Sequence, residues 1–223
     1  MTDLTLYITW KNYSSWSLRA WLLMRALEIP FEEVLVPMTD AATLPGMAGI
    51  SPTRKVPCLI DRGMADVTIW ETMAIAEYLD ELFPESGVWP EDMASRATAR
   101  ALVSEMHAGF AALRSECPMN LRRPPAPLPE SQAVSDGCRA DVARVEAIFA
   151  ECLEASGGPF LMGRFSAVDA FYAPVLTRLR TYQLLDTDAV RAFKAALDSL
   201  PAWQAWCDAA LAETVVIAAD EVD

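Results

Sequence analysis

The sequence predicts an α/β N-terminal domain over residues 1–83, a linker over 84–92 and an all-α C-terminal domain over 93–223. Strand-like and helix-like segments alternate in the first domain, with apolar residues at the spacing typical of each. Two prolines and a glycine then fall close together in the stretch 84–90, which is typical of a linker. Beyond this stretch, only helical patterns follow.

The segments of the first domain predict the order β-α-β-α-β-β-α. They are a strand over 4–9, a helix over 18–27, a strand over 31–36, a short helix over 40–47, strands over 57–61 and 66–69, and a helix over 71–83. A helix between the first two strands implies a parallel pair with a right-handed crossover. The tight turn at Gly63 implies that the last two strands are antiparallel. The prediction is therefore a mixed sheet with helices on its faces.

The second domain is predicted to contain helices over 94–117, 131–156, 166–180, 188–199 and 201–212. The segment 118–129 has five prolines and cannot be helical throughout. At the third predicted helix, Ser166 is placed to cap the backbone and Asp169 to accept from the N–H of Ser166. This pattern predicts a capping box with aspartate in the third position.

Composition limits the classes of function. With 53% apolar and 22% charged residues among 223, global disorder is excluded and a sizeable core is possible. No apolar stretch approaches the ~20 residues that cross a bilayer, and the N-terminus lacks the basic and apolar regions of a signal peptide. We therefore expect a cytoplasmic protein without a membrane partner. A net charge of −13 argues against nucleic acid as a partner, because phosphates require Lys and Arg.

The cysteines and the histidine do not form the pattern of a metal site. The five cysteines lack CxxC spacing, and His107 is the single histidine. We therefore expect no metal and a reduced chain without a disulfide framework. His107 lies in a helical pattern, where we expect it on the helix surface or packed. A single histidine and the lack of a GxSxG motif also argue against a Ser-His-Asp hydrolase.

Ser14 lies at the predicted start of the first helix, in the run Asn12–Arg19. Such a hydroxyl can cap the helix or donate to an anion bound there. A thiol with a pKa near 8.5 is only about 3% ionised at pH 7, and lowering that pKa by two units requires about 2.7 kcal/mol. A hydrogen bond to a charged partner contributes about 1.5–3 kcal/mol, and a helix end about 0.3–1 kcal/mol. One seryl hydroxyl can thus activate a thiol without a general base.

Two further short segments have both a structural and a functional interpretation. A cis Pro57 would turn the chain so that the N–H and C=O of Val56 pair with an extended peptide, whereas a trans proline would simply open an edge strand. Glu71 and Thr72 stand at a predicted helix start. They either cap the helix or bind the ammonium and carboxylate groups of a ligand.

The three segments occur in the order strand–serine–helix, Val-Pro and acid–hydroxyl–helix within about the first 80 residues. In this order the chain resembles the cytosolic glutathione transferase family, as a bacterial, serine-type member. The first domain resembles the thioredoxin-like domain of that family, and the second resembles its helical domain. The capping box at Ser166 matches the folding motif of the family. The resemblance covers nearly the whole chain and implies glutathione as co-substrate and a homodimer.

The resemblance also implies roles for the first segment. Ser14 is similar to the thiol-activating serine of the zeta class, whose Ser-Ser-x-Ser-x-Arg spacing the chain shares. Ser15 is the alternative activating residue. Trp16 stands where zeta enzymes have cysteine, which argues against maleylacetoacetate isomerase activity. No cysteine lies in this segment, so reductase chemistry through a protein thiol is disfavoured.

The other two segments are then expected to form the glutathione site. Val56 resembles the backbone clamp for the cysteinyl part of glutathione, with Pro57 as the cis proline and Lys55 in the same set. Glu71 and Thr72 resemble the anchors of the γ-glutamyl part. The family usually has serine where Thr72 stands, so the hydroxyl is kept.

A second substrate would bind between the two domains in this family. The candidate walls of its pocket are Trp10, Trp16, Met106, Phe110 and Arg122. For Met106 and Phe110 the alternative is packing in the helical core. Arg122 either meets an acidic co-substrate or solvates the proline-rich loop.

The expected function is therefore transfer of the glutathione sulfur to a small electrophile, of the EC 2.5.1.18 type, with the thiol activated by a serine hydroxyl. Isomerisation of the maleylacetoacetate type and peroxide reduction are alternatives that use the same thiolate. A non-catalytic binding or regulatory protein with the same fold is a further alternative.

Overall fold

The computed structural model describes residues 3–39 and 43–222. Its N-terminal part contains β1 (Leu4–Ile8), α1 (Ser15–Ala26), β2 (Glu32–Leu35), β3 (Cys58–Asp61), β4 (Val67–Trp70) and α2 (Thr72–Leu82). Part of the short helix predicted over 40–47 lies outside the described residues. The remainder contains a single 3₁₀ turn, Pro45–Met47.

The four strands form one mixed sheet in the order β2-β1-β3-β4. Strands β1 and β2 are parallel, whereas β1 with β3 and β3 with β4 are antiparallel. Leu4, Leu6 and Ile8 lie on one face of β1, because successive side chains of a strand point to opposite faces, and all three are buried. The predicted sheet is thus confirmed in strand direction.

The C-terminal part is helical. It contains α3 (Met93–Ala108), α4 (Ala111–Glu116), α5 (Asp136–Ser156), α6 (Ala167–Thr181), α7 (Asp188–Asp198) and α8 (Pro201–Ala212). Short 3₁₀ turns occur at Glu130–Gln132 and Ala218–Asp220. The predicted fold class, an α/β part followed by an all-helical part, is confirmed.

The single helix predicted over 94–117 is wrong, because the chain breaks between α3 and α4. Phe110 has a left-handed backbone with φ 54°, and its ring is buried 6.3 Å from the ring of Tyr172. Gly109 lies so close to the carbonyl of Glu105 that an added Cβ would stand 2.6 Å from that oxygen. Helix α3 therefore ends where Gly109 allows a close backbone approach and where the left-handed Phe110 buries its ring.

The helix predicted over 131–156 begins later than expected, at Asp136. Ser135 is its N-cap, and the Ser135 Oγ accepts from the N–H of Cys138 at 3.1 Å. Residues before this cap form the 3₁₀ turn and an extended segment. Helix α5 therefore starts after the capping hydroxyl of Ser135 and not at residue 131, where the prediction placed its start.

The predicted capping box at the start of α6 is confirmed. Asp169 is fully buried, and its Oδ2 accepts from the N–H of Ser166 at 2.9 Å. The other carboxylate oxygen, Oδ1, accepts from the N–H of Leu161, also at 2.9 Å. Helix α6 is buried on nearly all sides and forms the centre of the helical part.

Helix α1 joins the two parts by packing against α6. The Nε of Arg19 donates to the carbonyl of Phe171 at 3.1 Å across this contact, and Arg19 is fully buried. On another side of α1, the rings of Trp21 and Trp206 lie 5.2 Å apart. One continuous apolar core therefore spans both parts, and the start of α1 lies where they meet.

Candidate ligand-binding site

Ser14 is the N-cap of α1 and is half-buried. Its Oγ accepts from the N–H of Ser17 at 3.3 Å and donates to the Oγ of Ser17 at 2.8 Å. The Ser17 Oγ in turn accepts from the N–H of Thr9 at the end of β1, at 3.1 Å. The hydroxyl of Ser14 is therefore held at the helix start by a short chain of polar groups that leads to the sheet.

A cavity of about 200 Å³, here called the first cavity, opens beside this helix start. Its lining comes from four separate stretches of chain: Trp16, Thr53, Lys55, Val56, Pro57, Glu71, Thr72 and Arg114. The structure thus brings together the two later segments that the sequence singled out. Ser14 and Ser15 do not line this cavity, although Trp16 in the same first turn does.

The Val56–Pro57 peptide bond is cis, as the sequence interpretation required. Among the described residues, no hydrogen bond engages the backbone N–H or C=O of Val56. Both groups therefore remain available to an extended ligand in the first cavity.

Glu71 and Thr72, at the start of α2, form another wall of the first cavity. Glu71 is the N-cap, with φ 72°, and no side chain caps the first turn of this helix. Thr72 is buried, whereas the Glu71 side chain is exposed. The first-turn N–H groups lack a side-chain acceptor, and a helix start of this kind favours a negatively charged group.

His107, at the end of α3, stands against the same wall. Its Nδ1 is 3.4 Å from the Oγ1 of Thr72, and its Nε2 is 3.5 Å from the Oε2 of Glu71. Burial lowers the pKa of His107, Glu71 opposes this effect, and the positive Arg19 and Arg114 add to it. The imidazole is therefore neutral at pH 7.

Two guanidinium groups lie against the indole of Trp16. The carbon at the centre of the Arg19 guanidinium is 4.4 Å from the ring centroid, and that of Arg114 is 4.8 Å away. Such contacts are favourable because the ring face is electron-rich. The edge of His107 completes the surroundings, with ring centroids 5.1 Å apart.

A second cavity, of about 340 Å³, adjoins the first. It is lined by Ser15, Trp16, Ala111, Arg114, Ser115 and Arg178. Trp16 and Arg114 line both cavities, so the two cavities adjoin at these residues. Ser15 is buried here, and its Oγ accepts from the Nη2 of Arg178 at 3.3 Å.

Two of the arginines near the second cavity are buried. Burial, together with Arg114, lowers the pKa of Arg178 to about 10. Burial also lowers the pKa of Arg19 well below its usual range, and the neighbouring Arg178 and Arg114 lower it further. Like charges gathered in a poorly solvated place disfavour one another in this way.

The other predicted wall residues lie outside both cavities. Trp10 donates from Nε1 to the carbonyl of Met38 at 3.1 Å. Met106 and Phe110 are buried in the helical core, which was the alternative stated for them. Helix α3 buries Met106 in the core, whereas the next residue, His107, is half-buried beside Glu71 and Thr72.

Arg122 holds a later segment of chain instead of lining a cavity. Its guanidinium donates to the carbonyls of Glu213 and Val215 and to the Oη of Tyr13. The carboxylate of Glu213 accepts from the backbone N–H groups of Lys11, at 2.7 Å, and Asn12, at 3.0 Å. Glu213 and Arg122 thus fasten the loop that precedes Ser14.

Sequence reasoning did not identify His107 and Arg114 as site residues. Both follow Glu71 and Thr72 by 35 residues or more, and the distance between these positions in the fold is set by how α3 and α4 pack. No local pattern in the sequence carries that information. For His107 the available signal was that it is the single histidine, whereas Arg114 is one of three arginines in its predicted helix and had no distinguishing signal.

Within the described ranges, no cluster of three or more His, Cys, Asp or Glu side chains is arranged to hold a metal ion. The same ranges include no helix with the length and apolarity needed to cross a membrane.

Family models match two stretches of the chain. The glutathione S-transferase N-terminal domain model matches residues 13–82, and the glutathione S-transferase C-terminal domain model matches residues 132–209. The matched residues amount to about two thirds of the chain.

Curated relatives are similar over shorter stretches. A probable maleylacetoacetate isomerase of Caenorhabditis elegans is 32% identical over 97 residues, which are 44% of this chain and 43% of that protein. The protein IN2-1 of Zea mays is 31% identical over 112 residues, which are 50% of this chain and 40% of that protein. The chain therefore spans less than half the length of these relatives.

Solved structures are similar over nearly the full chain. A glutathione transferase homologue from Burkholderia, crystallised with bound glutathione, has a TM-score of 0.69 and 21% identity, covering 93% of this chain and 97% of that one. Glutathione transferase F2 from Populus trichocarpa has a TM-score of 0.72 and 18% identity, covering 94% of this chain and 100% of that one. At such identities the likeness concerns the fold. It confirms the predicted thioredoxin-like domain followed by an all-helical one.

Proposed function

Because the chain belongs to the glutathione S-transferase family, we propose that it binds glutathione in the first cavity and transfers the glutathione sulfur to a small electrophile. One observation carries this proposal. The first cavity gathers Lys55, the cis Val56–Pro57 pair, Glu71 and Thr72 beside the helix start that holds Ser14.

The proposed binding mode uses the two walls of the first cavity. The free N–H and C=O of Val56 pair with the cysteinyl residue of glutathione, as an added strand would. The γ-glutamyl carboxylate accepts from the first-turn N–H groups of α2 and from the hydroxyl of Thr72. Glu71, exposed and 3.5 Å from a neutral His107, attracts the ammonium group.

Ser14 is the proposed activating residue. In the absence of ligand its hydroxyl donates to Ser17. Rotation about the Cβ–Oγ bond redirects this O–H donor to the glutathione sulfur, where it favours the thiolate and the thiol proton leaves to solvent. The thiolate then forms a C–S bond as the bond to the leaving group breaks, and the leaving group takes the electron pair. Ser15 remains the alternative donor, facing the second cavity.

Isomerisation is the second candidate function. It is favoured by the similarity to a protein named as a probable maleylacetoacetate isomerase, which extends over 44% of this chain. In such a reaction the thiolate would add to a conjugated double bond and leave again after rotation, so no group would be transferred. An assay with maleylacetoacetate and glutathione distinguishes this reaction from transfer, because glutathione is not consumed.

A homodimer in the cytoplasm completes the proposal. The edge strand β4 exposes Val67 and Trp70, and α3 exposes Met93, so apolar surface is available for a second copy. The five cysteines of the chain are free thiols, which is typical of a reducing compartment.

The thiol pKa of bound glutathione tests the proposed function. Ultraviolet difference titration follows thiolate absorbance against pH in the wild type, Ser14→Ala and Ser15→Ala. We expect a bound pKa about two units below the usual thiol value near 8.5, and a return toward that value in Ser14→Ala. Binding with an unshifted pKa would remove the catalytic part of the proposal, and absence of binding would remove all of it.

A further inference from the structure

Three arginines from different helices converge at the second cavity. Arg19 comes from α1, Arg114 from α4 and Arg178 from α6. Arg114 and Arg178 line the cavity, and Arg19 lies outside its lining but against the ring of Trp16, which does line it. Arg178 and Arg114 both lower the pKa of Arg19, and Arg114 lowers the pKa of Arg178, so positive charge is concentrated where the two parts of the chain meet.

These arginines have no anionic partner among the described residues. None of the ion pairs in this part of the chain includes them. Asp220 influences Arg178 electrostatically but makes no ion pair with it. In a chain with a net charge of −13, three neighbouring arginines without an acidic partner are unusual, and a negatively charged ligand would offset their charge.

Several of their N–H groups are also unsatisfied. The Nη1 and Nη2 of Arg19 and the Nε of Arg178 are buried and have no hydrogen-bond partner among the described residues. Burying a donor without an acceptor is costly, and more so when the donor is charged. Arg178, which is nearly fully buried, lines the second cavity beside Ser15.

Backbone carbonyls hold the guanidinium groups in position without neutralising them. Arg19 Nε donates to Phe171 O at 3.1 Å, and Arg178 Nη1 donates to Pro174 O at 2.9 Å. Arg114 Nη1 donates to the carbonyl of Gly109 at 3.2 Å. The remaining donors are therefore fixed in place before any ligand arrives, which lowers the entropic cost of binding.

We propose that the second cavity is an anion subsite that binds a carboxylate carried by the electrophilic substrate. This inference rests on the proposed function, because it assigns the substrate class of the same site. A carboxylate matches the paired donors of a guanidinium, and about 340 Å³ accommodates an acid of the size of a substituted benzoate. Trp16 and Arg114 line both this subsite and the first cavity, so a substrate held here adjoins the cavity that holds the glutathione sulfur.

Binding of a simple acid tests the subsite without any need for turnover. Isothermal titration calorimetry compares benzoate with benzamide, which has the same shape but no charge. Wild type, Arg114→Gln and Arg178→Gln are measured, with Arg139→Gln as the control because Arg139 is exposed on α5 and pairs with Asp136. Thermal unfolding of each variant first establishes that it is folded.

We expect benzoate to bind the wild type at least 10-fold more tightly than benzamide. Arg114→Gln and Arg178→Gln each lose at least 10-fold in benzoate affinity, and Arg139→Gln is unchanged. If one of the two cavity variants fails to fold, the other decides. Equal binding of benzoate and benzamide, or benzoate binding that both cavity variants retain, would overturn the proposal.

Glutathione itself carries carboxylates, and Arg114 also lines the first cavity. The benzoate titration is therefore repeated with saturating glutathione. We expect benzoate to bind as before, because the two ligands occupy different cavities. Displacement of benzoate by glutathione would show that the arginines serve the tripeptide, and would overturn the assignment to the second substrate.

Turnover separates the subsite from the proposed function. The probes are 4-chloro-3-nitrobenzoate and its amide, in which the sulfur forms a C–S bond at the carbon that loses chloride. Each kcat/KM is divided by the uncatalysed rate with glutathione, because the two rings differ in reactivity. We expect the normalised ratio of acid to amide to exceed 10 in the wild type and to fall at least 10-fold in Arg114→Gln.

The possible results are distinct. Turnover of both probes with a ratio near 1 would overturn the subsite and leave the transferase proposal standing. Turnover of neither probe would contradict the transferase proposal, while the calorimetry would still decide whether the arginines bind a carboxylate.

Discussion

The hydroxyl of Ser14 donates to the hydroxyl of Ser17 across 2.8 Å, so the candidate catalytic donor is engaged within the first turn of its own helix. Ser17 is fully buried and also accepts from the backbone of Thr9. Without ligand, the pair links the end of β1 to the start of α1. A sulfur bound in the first cavity would compete with Ser17 for the proton of Ser14.

Ser14→Ala is expected to lower turnover with glutathione by about 30-fold at pH 7, because only about 3% of an unactivated thiol is ionised there. The KM for glutathione should change little, since the peptide is held by other residues. Steady-state kinetics of Ser14→Ala and Ser15→Ala measure this. A larger loss in Ser15→Ala than in Ser14→Ala would assign activation to Ser15.

Ser17→Ala is expected to destabilise the protein by about 1–3 kcal/mol, because the buried N–H of Thr9 loses its acceptor. Urea unfolding measures the change, with the exposed Ser104→Ala on α3 as the control. The bound thiol should still ionise in Ser17→Ala, since Ser14 keeps its hydroxyl. If the free energy of unfolding is unchanged, the Thr9–Ser17 hydrogen bond does not stabilise the protein.

Thr72→Val is expected to raise the KM for glutathione about 10-fold, since it removes a hydroxyl that would donate to the γ-glutamyl carboxylate but keeps the shape of the side chain. The matched control is Thr98→Val, where the exposed hydroxyl donates to the carbonyl of Ala94. Initial-rate kinetics at several glutathione concentrations give the result. An unchanged KM in Thr72→Val would mean that the helix start of α2 binds the carboxylate without this hydroxyl.

Asp169→Asn is expected to destabilise the protein by about 1–3 kcal/mol. Each carboxylate oxygen of Asp169 accepts from a backbone N–H, of Leu161 or Ser166. An amide has a single acceptor oxygen, so one N–H would face an NH₂ group in either orientation. Urea unfolding of Asp169→Asn and of the exposed Asp136→Asn provides the comparison, and equal stability of the two variants would count against this account.

His107 is expected to make stability depend on pH. Its pKa is lowered in the folded protein by burial and by two arginines, so the unfolded chain binds the proton more readily. Stability from this group is therefore present above the unfolded value near 6.5 and is lost as the pH falls through the folded pKa. His107→Gln should lose this component of the pH dependence.

Urea unfolding at pH 5, 6 and 7.5 measures the effect as the difference between wild type and His107→Gln. The difference is needed because Asp169 also titrates in this range. Burial raises the pKa of Asp169 to about 7, and its contribution has the opposite sign, since stability from it is lost as the pH rises. A difference that does not vary with pH would show that His107 is not perturbed.

The N-terminal part of the fold follows from local patterns in the sequence. The helix between the first two strands and the tight turn near Gly63 predicted the strand directions found in the sheet. The capping box at Ser166 was also visible, because all of its parts lie within four residues. The cis Val56–Pro57 bond was one of two interpretations, and the neighbouring segments favoured it.

The remaining features depend on contacts that are distant in the sequence. The break at Gly109 and Phe110 reflects a ring that packs on Tyr172, and helix propensity alone gives no sign of it. His107 contacts Glu71 and Arg114 contacts Trp16 only in the folded chain, where α3 packs beside α2 and α4 packs on α5. The convergence of Arg19 with Arg178 likewise arises from the packing of α1 against α6.

The hydrogen bonds of Glu213 to the loop before Ser14 have a consequence for biosynthesis. Glu213 follows Lys11 by 202 residues, and the ribosome makes the chain from the N-terminus. The sheet and α1 have therefore been synthesised long before Glu213 can accept from the loop. The carbonyl of Val215, to which Arg122 donates, is made later still. The loop that carries Ser14 is therefore fixed only after Glu213 and Val215 have been made, long after the sheet and α1.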